Sequence, residues 1–580
     1  MKNKKILSIM LVLVMVISTL AACGKKTDDT SSSPNNEPTK APTTNGSDTT
    51  DPTQAPKEVK TLTFYNADGQ EDPWTDPVAL KITELSGYKL ETDYPIDGDD
   101  QRIALMIASQ EYPDLIFAKG GTSDLIDAGA LIDLTDLIEQ YGPNIKKLYG
   151  DNFARLKYSQ ENQAIYTLGT YGVGAEKYAT DGTMQVQFAV LKDAGYPVVK
   201  TLEEYEQLLK DYIAKNPTIV GPDGGTYDTI GMTLSTSDWH WYITLSNPSG
   251  FVSGSPDNGQ WIIDDSNYYA ATYKHAAKGQ YEFYKWLNHM YDIGLLDKEF
   301  ATQTHDDYLA KIATGRVLGL ADASWDYGTA VASLLAAEMY DRSYAGLPVA
   351  LDANTKVALL QDQGYSGGWG VGITTACEDP VGAIKFLDWL CSDEAQVLTH
   401  WGIEGVNYQL DANGKRYVTE EEFKYSKAES EYSKITGVGF HTYPFPEYGD
   451  GRLDANGETY TTVTVESKIA NYNPAEQEAV AAWGVTMLKD IFPQTDEFPM
   501  SDYGAVWQTA VPTDSMLSDF IKQADEISWE YLVKSVVCKP SEFDSVWNEF
   551  QDKLKGAGLE EANSEMTALI QAKAAFWAGQ

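Results

Sequence analysis

Five tryptophans in or beside predicted loops are the residues whose type points most directly to a chemistry. A flat aromatic ring can stack on the C–H face of a pyranose, while a few amide, hydroxyl or carboxylate groups bind its polar edge. The chain contains 14 Trp and 36 Tyr, an ample supply of such rings. The candidate platforms are Trp74, Trp239, Trp241, Trp325 and Trp369. The competing interpretation of each is an ordinary core tryptophan, and a strand would turn only one of the alternating pair Trp239 and Trp241 inward.

Polar side chains near the same loops are candidate hydrogen-bond partners for such a ligand. Three of them close the first predicted strand in "FYNAD", one follows the apolar segment "DLIFA", and the others accompany later loops. These residues are Tyr65, Asn66, Asp68, Lys119, Asp326 and Glu404. The alternative for the charged ones and Asn66 is a turn residue or a solvated surface group.

Motifs of catalysis are weak in this sequence. The segment "GYSGG" at 364–368 matches the G-x-S-x-G pattern of serine hydrolases. That elbow joins a strand to a helix, whereas "WGVGITT" after it predicts a strand. No Walker A or HExxH motif occurs, and the six histidines form no recognisable nucleophile–base arrangement. The 85 acidic residues leave a glycosidase carboxylate pair open, but we predict that the chain is not an enzyme.

Metal motifs are equally weak. "LDANG" occurs at 410–414 and 453–457 and resembles the start of a calcium loop, but its Gly comes two positions too early for an EF-hand. Asn-Gly is a strong hairpin signal, so we expect turns there, with a structural calcium left open and no other cofactor. No Cys/His cluster has zinc spacing, so no metal ligands are predicted. Cys377, Cys391 and Cys538 could be paired or free.

The N-terminus predicts an export signal over residues 1–22. Three lysines precede an apolar stretch of about 17 residues, marginal for a membrane span. "LAAC" then resembles the lipobox of bacterial lipoproteins, in which cleavage precedes a cysteine that carries lipid. We therefore predict that Cys23 is lipidated, with palmitate among its acyl chains, and anchors the protein on the extracellular face of a Gram-positive cell membrane. The alternatives are an uncleaved anchor helix or a plain signal.

The mature chain is strongly acidic. Residues 23–59 are mostly Thr, Ser, Asp, Pro, Asn and Lys, which predicts a disordered linker because such residues cannot bury a core. The formal net charge is −41, and it becomes −44 when the three lysines of the signal are removed. This acidity argues against nucleic acid and anionic lipid as partners of the body, and leaves a neutral ligand open.

Strand and helix signals alternate along the body. "KTLTFYNADG" predicts a strand, and "DPVALKITELSG" predicts a helix that ends at Gly87. "GRVLGLADASWDYG" predicts a strand that delivers Trp325 into a loop. This alternation favours an α/β fold with a mainly parallel sheet.

Several segments, in their order along the chain, resemble the extracellular solute-binding proteins of ABC importers, specifically the carbohydrate-binding family 1 that includes maltodextrin-binding proteins. The resemblance spans residues 60–408 and fits residues 437–512 poorly. The segments that carry it are "YPDLIFAKGGTSDLIDAGALIDLTDLI", "VQFAVLKDAGYPVVKTLEEYEQLL", "GRVLGLADASW" and "GWGVGITTACEDPVGAIKFLDWLCSDEAQ".

The resemblance implies an α/β, two-lobed periplasmic-binding-protein-like fold (type II), with the ligand cleft between the lobes. The N-terminal lobe is expected to comprise 60–183 and 347–393, and the C-terminal lobe 184–346 and 394–580. Ligands of open sheets bind beyond the carboxyl ends of the strands, which is where most of the candidate residues lie.

The implied function is capture of an extracellular oligosaccharide by a monomer, which delivers it to the permease subunits of an ABC transporter. Three alternatives remain at this stage. They are a protein of the same fold for a non-sugar solute such as a peptide, a surface polysaccharide-active enzyme, and a glycan receptor without transport.

Overall fold

A computed structural model of the chain describes residues 59–96, 101–180, 182–365, 367, 369–429 and 431–579. The predicted signal, Cys23 and the linker up to residue 58 lie outside the described residues, as does Ser366 of the "GYSGG" motif. Residues 58–580 form one compact unit. Of the helices in the described ranges, none combines the length and the apolar character needed to cross a membrane.

Two β-sheets organise this unit, one in each lobe. The first has the strand order β2-β1-β3-β13-β4 and the second β12-β5-β11-β8. The strands of the first sheet are β1 (Lys60–Asn66), β2 (Tyr88–Asp93), β3 (Leu115–Phe117), β4 (Thr167–Gly169) and β13 (Gly370–Ile373). Those of the second are β5 (Met184–Gln187), β8 (Ile230–Met232), β11 (Val317–Ala321) and β12 (Tyr344–Gly346). Three hairpins pair β6 (Thr218–Val220) with β7 (Thr226–Asp228), β9 (Trp261–Asp264) with β10 (Ala270–Tyr273), and β14 (Gln409–Leu410) with β15 (Arg416–Tyr417).

Both sheets are mixed, and in each of them one strand runs against all the others, so the expectation of a mainly parallel sheet holds except for that strand. In the first sheet β1 runs parallel to β2 and β3, whereas β13 is antiparallel to β3 and β4. In the second, β11 is parallel to β8, and β5 is antiparallel to β11 and β12. The antiparallel strands β5 and β13 are the ones that follow a crossing between the lobes. A strand that follows a crossing starts at the edge of the sheet nearest the crossing. It therefore runs in the direction opposite to the strands that end at this edge.

Helices cover the sheets. Those that begin before residue 260 are Pro77–Ser86, Arg102–Ser109, Thr122–Asp127, Thr135–Tyr141, Pro143–Tyr149, Phe188–Asp193, Leu202–Lys215 and Asn247–Val252. Those of the middle of the chain are Gln280–Asp292, His305–Ala313, Ser324–Ala336, Pro380–Leu390, Asp393–Trp401, Glu420–Ala428 and Tyr432–Thr436. The last are Val465–Ala470, Pro474–Trp483, Met516–Val537, Phe543–Gly556 and Leu559–Ala578.

Helix ends agree with the local sequence signals. Asp76 caps the helix Pro77–Ser86 by accepting the N–H of Ala79, and Gly87 ends it in the left-handed conformation at φ 83°. Proline at the first position supplies the fixed φ of the helix, where its missing N–H costs nothing. The predicted helix boundary at Gly87 is confirmed.

The first sheet is buried on both faces. Leu62 and Phe64 of β1 pack into one hydrophobic cluster, and the alternate residue Tyr65 packs into another with Ile116 of β3. Because successive strand residues point to opposite faces, a sheet covered on both sides needs apolar residues in succession. This explains why all three residues of β3 are buried.

Three crossing segments join the lobes, and the hydrophobic clusters define them. The first-lobe cluster around β1 includes Val173, Tyr365 and Tyr460, while the second-lobe cluster includes Met184, Val349 and Ala475. The chain therefore crosses at 174–183, 350–364 and 461–474.

The stretch 394–460 packs on the first lobe, which corrects its assignment to the C-terminal lobe. Leu398, Phe445 and Tyr460 belong to the same cluster as Phe64 and Val371 of the first sheet. Hydrophobic packing against a distant strand decides this placement, and the local sequence carries no signal of it. Ala475, Ala479, Tyr503, Val506 and the buried hydrophobic residues of the last three helices belong to the second-lobe core.

Both "LDANG" segments form turns. Asp411 accepts the N–H groups of Asn413 and Lys415, and Asp454 accepts those of Asn456 and Glu458. The hairpin interpretation is confirmed, because each aspartate stabilises its own turn. The cysteines Cys377, Cys391 and Cys538 are free thiols.

Candidate functional site

The ends of the central strands of both sheets lie beside the crossing segments. In the first sheet, Phe117 at the end of β3 pairs with Val371, near the start of β13, which follows the second crossing. In the second sheet, Ala321 at the end of β11 pairs with Met184, the first residue of β5 after the first crossing. The two edges therefore face a common cleft, the place where open sheets bind ligands.

A cavity of about 590 Å³ opens between the lobes. We call it the interlobe cavity. Its lining joins first-lobe residues of the ranges 119–126 and 155–167 to second-lobe residues of 507–522 and 569–577. The aromatic side chains in its lining are Tyr158, Tyr166, Trp369, Trp507, Phe576 and Trp577. Its size and aromatic content suit a small oligosaccharide.

A second depression, of about 630 Å³, lies between the helices Met516–Val537 and Phe543–Gly556 of the second lobe. It is lined by polar and small aliphatic residues and by no aromatic side chain among the described residues. Because a ligand there would touch one lobe alone, this surface cannot couple binding to lobe closure. The interlobe cavity is therefore the candidate site.

A polar group from the first lobe borders the interlobe cavity. Lys119 Nζ lies 2.6 Å from Asp68 Oδ1 and 5.2 Å from the ring centroid of Trp369. Tyr443 donates its hydroxyl to Asp68 Oδ2 at 2.7 Å, and burial together with the charge of Asp68 raises the pKa of Tyr443. Asn66 accepts the N–H of Asp68 at 3.0 Å and so stabilises the turn after β1. The predicted residues Asp68, Lys119 and Trp369 are thus brought together, and the last two line the cavity.

Trp507 faces Trp369 from the second lobe. The two indole rings meet edge to face with centroids 4.9 Å apart, and Tyr171 packs edge to face on Trp507 at 5.7 Å. Burial, followed by the charge of Asp68, raises the pKa of Tyr171 to about 12. The neutral phenol is therefore the form present at neutral pH, and it can serve as a hydrogen-bond donor.

The second lobe also contributes Trp577 to the lining, near the end of the helix Leu559–Ala578. The guanidinium of Arg155, from the first lobe, lies 4.5 Å from the ring centroid of Trp577. Lys573 Nζ lies 4.6 Å from the same ring. Arg155 also donates to the carbonyl of Tyr365 at 2.7 Å. A cation from each lobe thus lies within 4.6 Å of the centre of one aromatic ring.

Trp239 lies in the loop beyond β8, and Trp325 lies just past the end of β11, on the cleft-facing edge of the second sheet. Their side chains are 53% and 62% exposed, and their rings are nearly parallel at 11° with centroids 6.2 Å apart. Trp239 stacks in turn on His240 at 3.9 Å, and His240 stacks on His305 at 3.7 Å. Trp325 belongs to the first turn of the helix Ser324–Ala336, which corrects its predicted loop placement. Both rings lie outside the lining of the interlobe cavity, and their ligand contact stays a prediction.

Asp326 is a positioning residue beneath this aromatic column. Its Oδ1 lies 3.1 Å from His305 Nε2 and 3.4 Å from His240 Nε2. Burial would raise the pKa of Asp326, but the hydrogen bonds and charges of the two histidines outweigh it and hold the pKa well below its usual value. Asp238 hydrogen-bonds the other nitrogen of His240. Asp326 is 4% exposed at its side chain, so a ligand in the cleft does not reach it directly.

Two groups of side chains in the described part of the chain could hold a divalent cation. Each offers three ligand atoms within 4.8 Å of one another. They are His240, His305 and Asp326 in the second lobe, and Asp72, Asp76 and His441 in the first. Imidazole and carboxylate are suitable ligands for such ions. Apart from Asp72 and Asp76, the members are far apart in the sequence, and no spacing motif indicates them.

Three of the predicted contact residues are core residues, which corrects their assignment. Trp241 is buried in the second-lobe core and stacks on Tyr242 at 4.1 Å. Trp74 is buried in the first-lobe core and donates its Nε1–H to Thr83 Oγ1 at 2.9 Å. Tyr65 is buried on one face of β1. The loop of Trp74 was predicted correctly, whereas Trp241 is helical. All three rings turn inward because that burial removes a large apolar area from water.

Glu404 also lies away from the interlobe cavity. It is exposed on a short turn that bridges to Tyr408, and it is absent from the cavity lining. The turn follows the helix Asp393–Trp401, on the part of the first lobe that sequence reasoning placed in the second.

Sequence reasoning missed Arg155, Trp507, Lys573 and Trp577. These residues come from a short helical segment, from the poorly matching range 437–512 and from the C-terminal helix, whereas the prediction searched loops that follow strands. A weak signal was present, since "FW" at 576–577 places two large aromatic rings at the exposed end of an amphipathic helix.

The two-lobed α/β body, with its cavity between lobes joined by three crossing segments, defines a binding protein that can close over a solute. The chain belongs to the family of bacterial extracellular solute-binding proteins, whose model matches residues 79–406. This membership confirms the resemblance found in the sequence, the fold class and the expectation of a binding protein rather than an enzyme.

Two curated proteins and one solved structure are similar to the chain. Lipoprotein LipO of Bacillus subtilis is 23% identical over 435 residues, covering 70% of this chain and 78% of LipO. The fructooligosaccharide ABC transporter substrate-binding protein FusA of Streptococcus pneumoniae is 24% identical over 513 residues, covering 81% and 87%. The structure of FusA in complex with kestose matches with a TM-score of 0.64 at 15% identity, covering 90% of this chain and all of that chain (100%).

Proposed function

We propose that this protein captures an extracellular oligosaccharide in the interlobe cavity and delivers it to the permease of an ABC transporter. The observation that carries the proposal is the aromatic lining contributed by both lobes, with Trp369 from the first lobe and Trp507 and Trp577 from the second. Rings on two sides can hold the two faces of a sugar at once. The description of FusA as a substrate-binding protein for fructooligosaccharides supports the same class of ligand.

The cavity suggests how binding and delivery are coupled. A ligand that touches both lobes binds the closed form better than the open form, and it favours closure only by that difference. The crossing segments would act as the hinge about which the lobes rotate. A permease that recognises the closed surface then receives only loaded protein.

We propose that Cys23 carries the lipid that holds this protein on the outer face of the cell membrane. The lipobox-like "LAAC" and the polar linker support this, as does the name of LipO as a lipoprotein. Acylation with palmitate and a Gram-positive host are part of the same proposal. We further propose that the protein acts as a monomer, without a cofactor and without nucleic acid as a partner.

The proposal is tested by isothermal titration calorimetry of the full-length protein against a panel of oligosaccharides and peptides. We expect at least one oligosaccharide to bind, and chromatography to recover it unchanged after prolonged incubation. Ligand at about 100 times its Kd adds roughly 2.7 kcal/mol to the free energy of unfolding, so thermal shift serves as a second readout. Product formation would indicate an enzyme, and a response to peptides alone would indicate another solute class.

Closure is tested by small-angle X-ray scattering with and without the bound sugar. A decrease in the radius of gyration on binding is expected. An unchanged radius with saturating ligand would show that binding and lobe movement are not coupled.

A further inference from the structure

The interlobe cavity is basic although the chain is strongly acidic. The chain has 44 Lys and Arg against 85 Asp and Glu, so a typical surface patch should hold about twice as many acids as bases. The cavity lining has five basic residues and two acidic ones, which reverses this proportion. The basic residues are Lys119, Arg155, Lys157, Lys522 and Lys573, and the acidic ones Asp124 and Glu161.

Two of these cations meet from opposite lobes. Arg155 and Lys573 lie at 4.5 and 4.6 Å from the ring of one indole, that of Trp577. Burial, followed by the positive charge of Arg155, lowers the pKa of Lys573 to about 7. Like charges brought together in a poorly solvated place repel each other. Lobe closure therefore has an electrostatic cost at this point.

The other cations of the first lobe also lie beside aromatic rings. Lys157 Nζ is 6.0 Å from the ring of Phe576, and Lys119 Nζ is 5.2 Å from that of Trp369. Lys119 forms an ion pair with Asp68, whereas Lys573 donates a hydrogen bond to the neutral hydroxyl of Thr509 at 3.4 Å. The side of the cavity around Trp577 therefore holds the greater excess of positive charge.

We propose that the interlobe cavity selects acidic oligosaccharides, with Arg155 and Lys573 binding a carboxylate or sulfate group of the sugar. This inference rests on the proposed function and names its ligand class. An anionic group between the two cations removes their repulsion, and guanidinium pairs with such groups through two parallel hydrogen bonds. The ring of Trp577 offers a stacking face beside them. An acidic sugar thus stabilises the closed form more than its neutral counterpart does.

The negative charge of the whole protein does not oppose this selection in the cavity. Exposed charges farther away than about 8 Å are largely screened at physiological ionic strength. Asp362 and Asp502 also act on Arg155 from outside the cavity lining. The five basic residues of the lining still outnumber these two and the two acidic residues of the lining, so the local cations dominate the interaction of a bound anion. Acidic surface residues elsewhere would lower the association rate of an anionic sugar, but they would not weaken its interaction with the cations once it is bound.

The experiment compares matched acidic and neutral ligands on the full-length protein by calorimetry. One pair is a galacturonate oligosaccharide and its methyl-esterified form, and a second is a sulfated oligosaccharide and its desulfated form. We expect the acidic member of at least one pair to bind ten or more times more tightly, with an affinity that falls as salt is raised. The two pairs distinguish carboxylate from sulfate.

Variants locate the effect. Arg155→Gln and Lys573→Met should each reduce affinity for the acidic ligand about tenfold and change that for the neutral ligand less than twofold. Lys555→Met removes the same charge from an exposed position outside the cavity and should change neither. Melting temperatures identify any variant that fails to fold, and the salt dependence of the unaltered protein tests the idea without a variant.

The outcomes separate the inference from the proposed function. Equal binding of the neutral and acidic members of both pairs would overturn the inference and leave the proposed function intact. Binding of no oligosaccharide at all would overturn the proposed function itself. Acidic preference that persists in both variants would place the anion elsewhere and refute the assignment to Arg155 and Lys573.

Discussion

Trp369 of the first lobe and Trp507 of the second meet edge to face, with ring centroids 4.9 Å apart. Trp369 follows the second crossing segment, and Trp507 lies next to the core residue Val506 of the second lobe. This contact joins the lobes at one end of the interlobe cavity. A sugar that stacks on either ring would therefore influence how the lobes sit together.

Replacing Trp369 with Ala should weaken binding of the captured oligosaccharide about tenfold, roughly 1.4 kcal/mol. The variant loses the ring on which the sugar would stack, and it loses the edge-to-face contact with the ring of Trp507. Calorimetry of the full-length protein measures the change. Trp529→Ala is the control, since that half-exposed ring lies outside the cavity lining. Equal losses in both variants would contradict a role of Trp369 in the site.

Trp241→Ala should lower the free energy of unfolding by about 3–5 kcal/mol, because it empties a large core position. Urea denaturation measures the loss. The matched variant Trp239→Ala removes an exposed ring and should change stability by less than about 1 kcal/mol. Similar stability of the two variants would contradict the burial that separates these neighbours.

The ion pair of Asp68 and Lys119 should contribute little to stability. Both side chains are about one-third exposed, and solvent screens such pairs to about 0–1 kcal/mol. A double-mutant cycle with Asp68→Asn and Lys119→Met, followed by chemical denaturation, should give a coupling energy in this range. A coupling energy well above this range would show that the ion pair stabilises the fold, and would contradict this prediction.

Lys274 should make stability depend on pH. Its ammonium is buried, donates to the carbonyl of Gly259 at 2.7 Å, and burial lowers its pKa to about 7. Below pH 7 the folded state bears the full cost of the buried charge. Between pH 7 and the unfolded value of 10.5 the unfolded state binds more protons, so this cost falls as pH rises.

The measurement for Lys274 is the difference in unfolding free energy between Lys274→Met and the unaltered protein at several pH values. The variant should be favoured most at pH 6 to 7, and its relative advantage should fall by about 3 kcal/mol by pH 9.5. Lys555→Met, with the same charge change at the surface, serves as the control. A difference for Lys274→Met that does not change with pH would contradict the lowered pKa.

Gly449→Ala should destabilise the start of the first crossing. A Cβ at Gly449 would lie 2.4 Å from the backbone of Ala175, which has no room to move aside cheaply. We expect a loss of about 1–3 kcal/mol, the usual range for overpacking. Gly556→Ala, where a Cβ meets open space, should leave the melting temperature unchanged or raise it slightly. A tolerated Gly449→Ala would show that the crossing can shift.

Local sequence signals predicted the elements and several of their ends. The helix stop at Gly87 and the strand β11 both follow from residues within a few positions of each other. Such features depend on backbone sterics and nearby hydrogen bonds, which a short stretch of sequence contains. The order of these elements was also sufficient for the family and for the two-lobed fold.

The sequence could not predict which aromatic rings border the cavity. Trp239 and Trp241 are two residues apart, yet one is exposed and the other lies in the core. Packing against elements distant in the chain decides such differences. For the same reason residues 394–460 could not be assigned to the first lobe.

The sequence by itself determined the class of protein, the alternation of strands and helices, and the acidic character of the chain. Only the tertiary structure brought Arg155 and Lys573, more than 400 positions apart in the numbering, to the same aromatic ring, that of Trp577. The physical reason is that a binding site depends on distances of a few ångströms between side chains. Those distances are set by how the lobes pack, and the linear order of residues does not contain them.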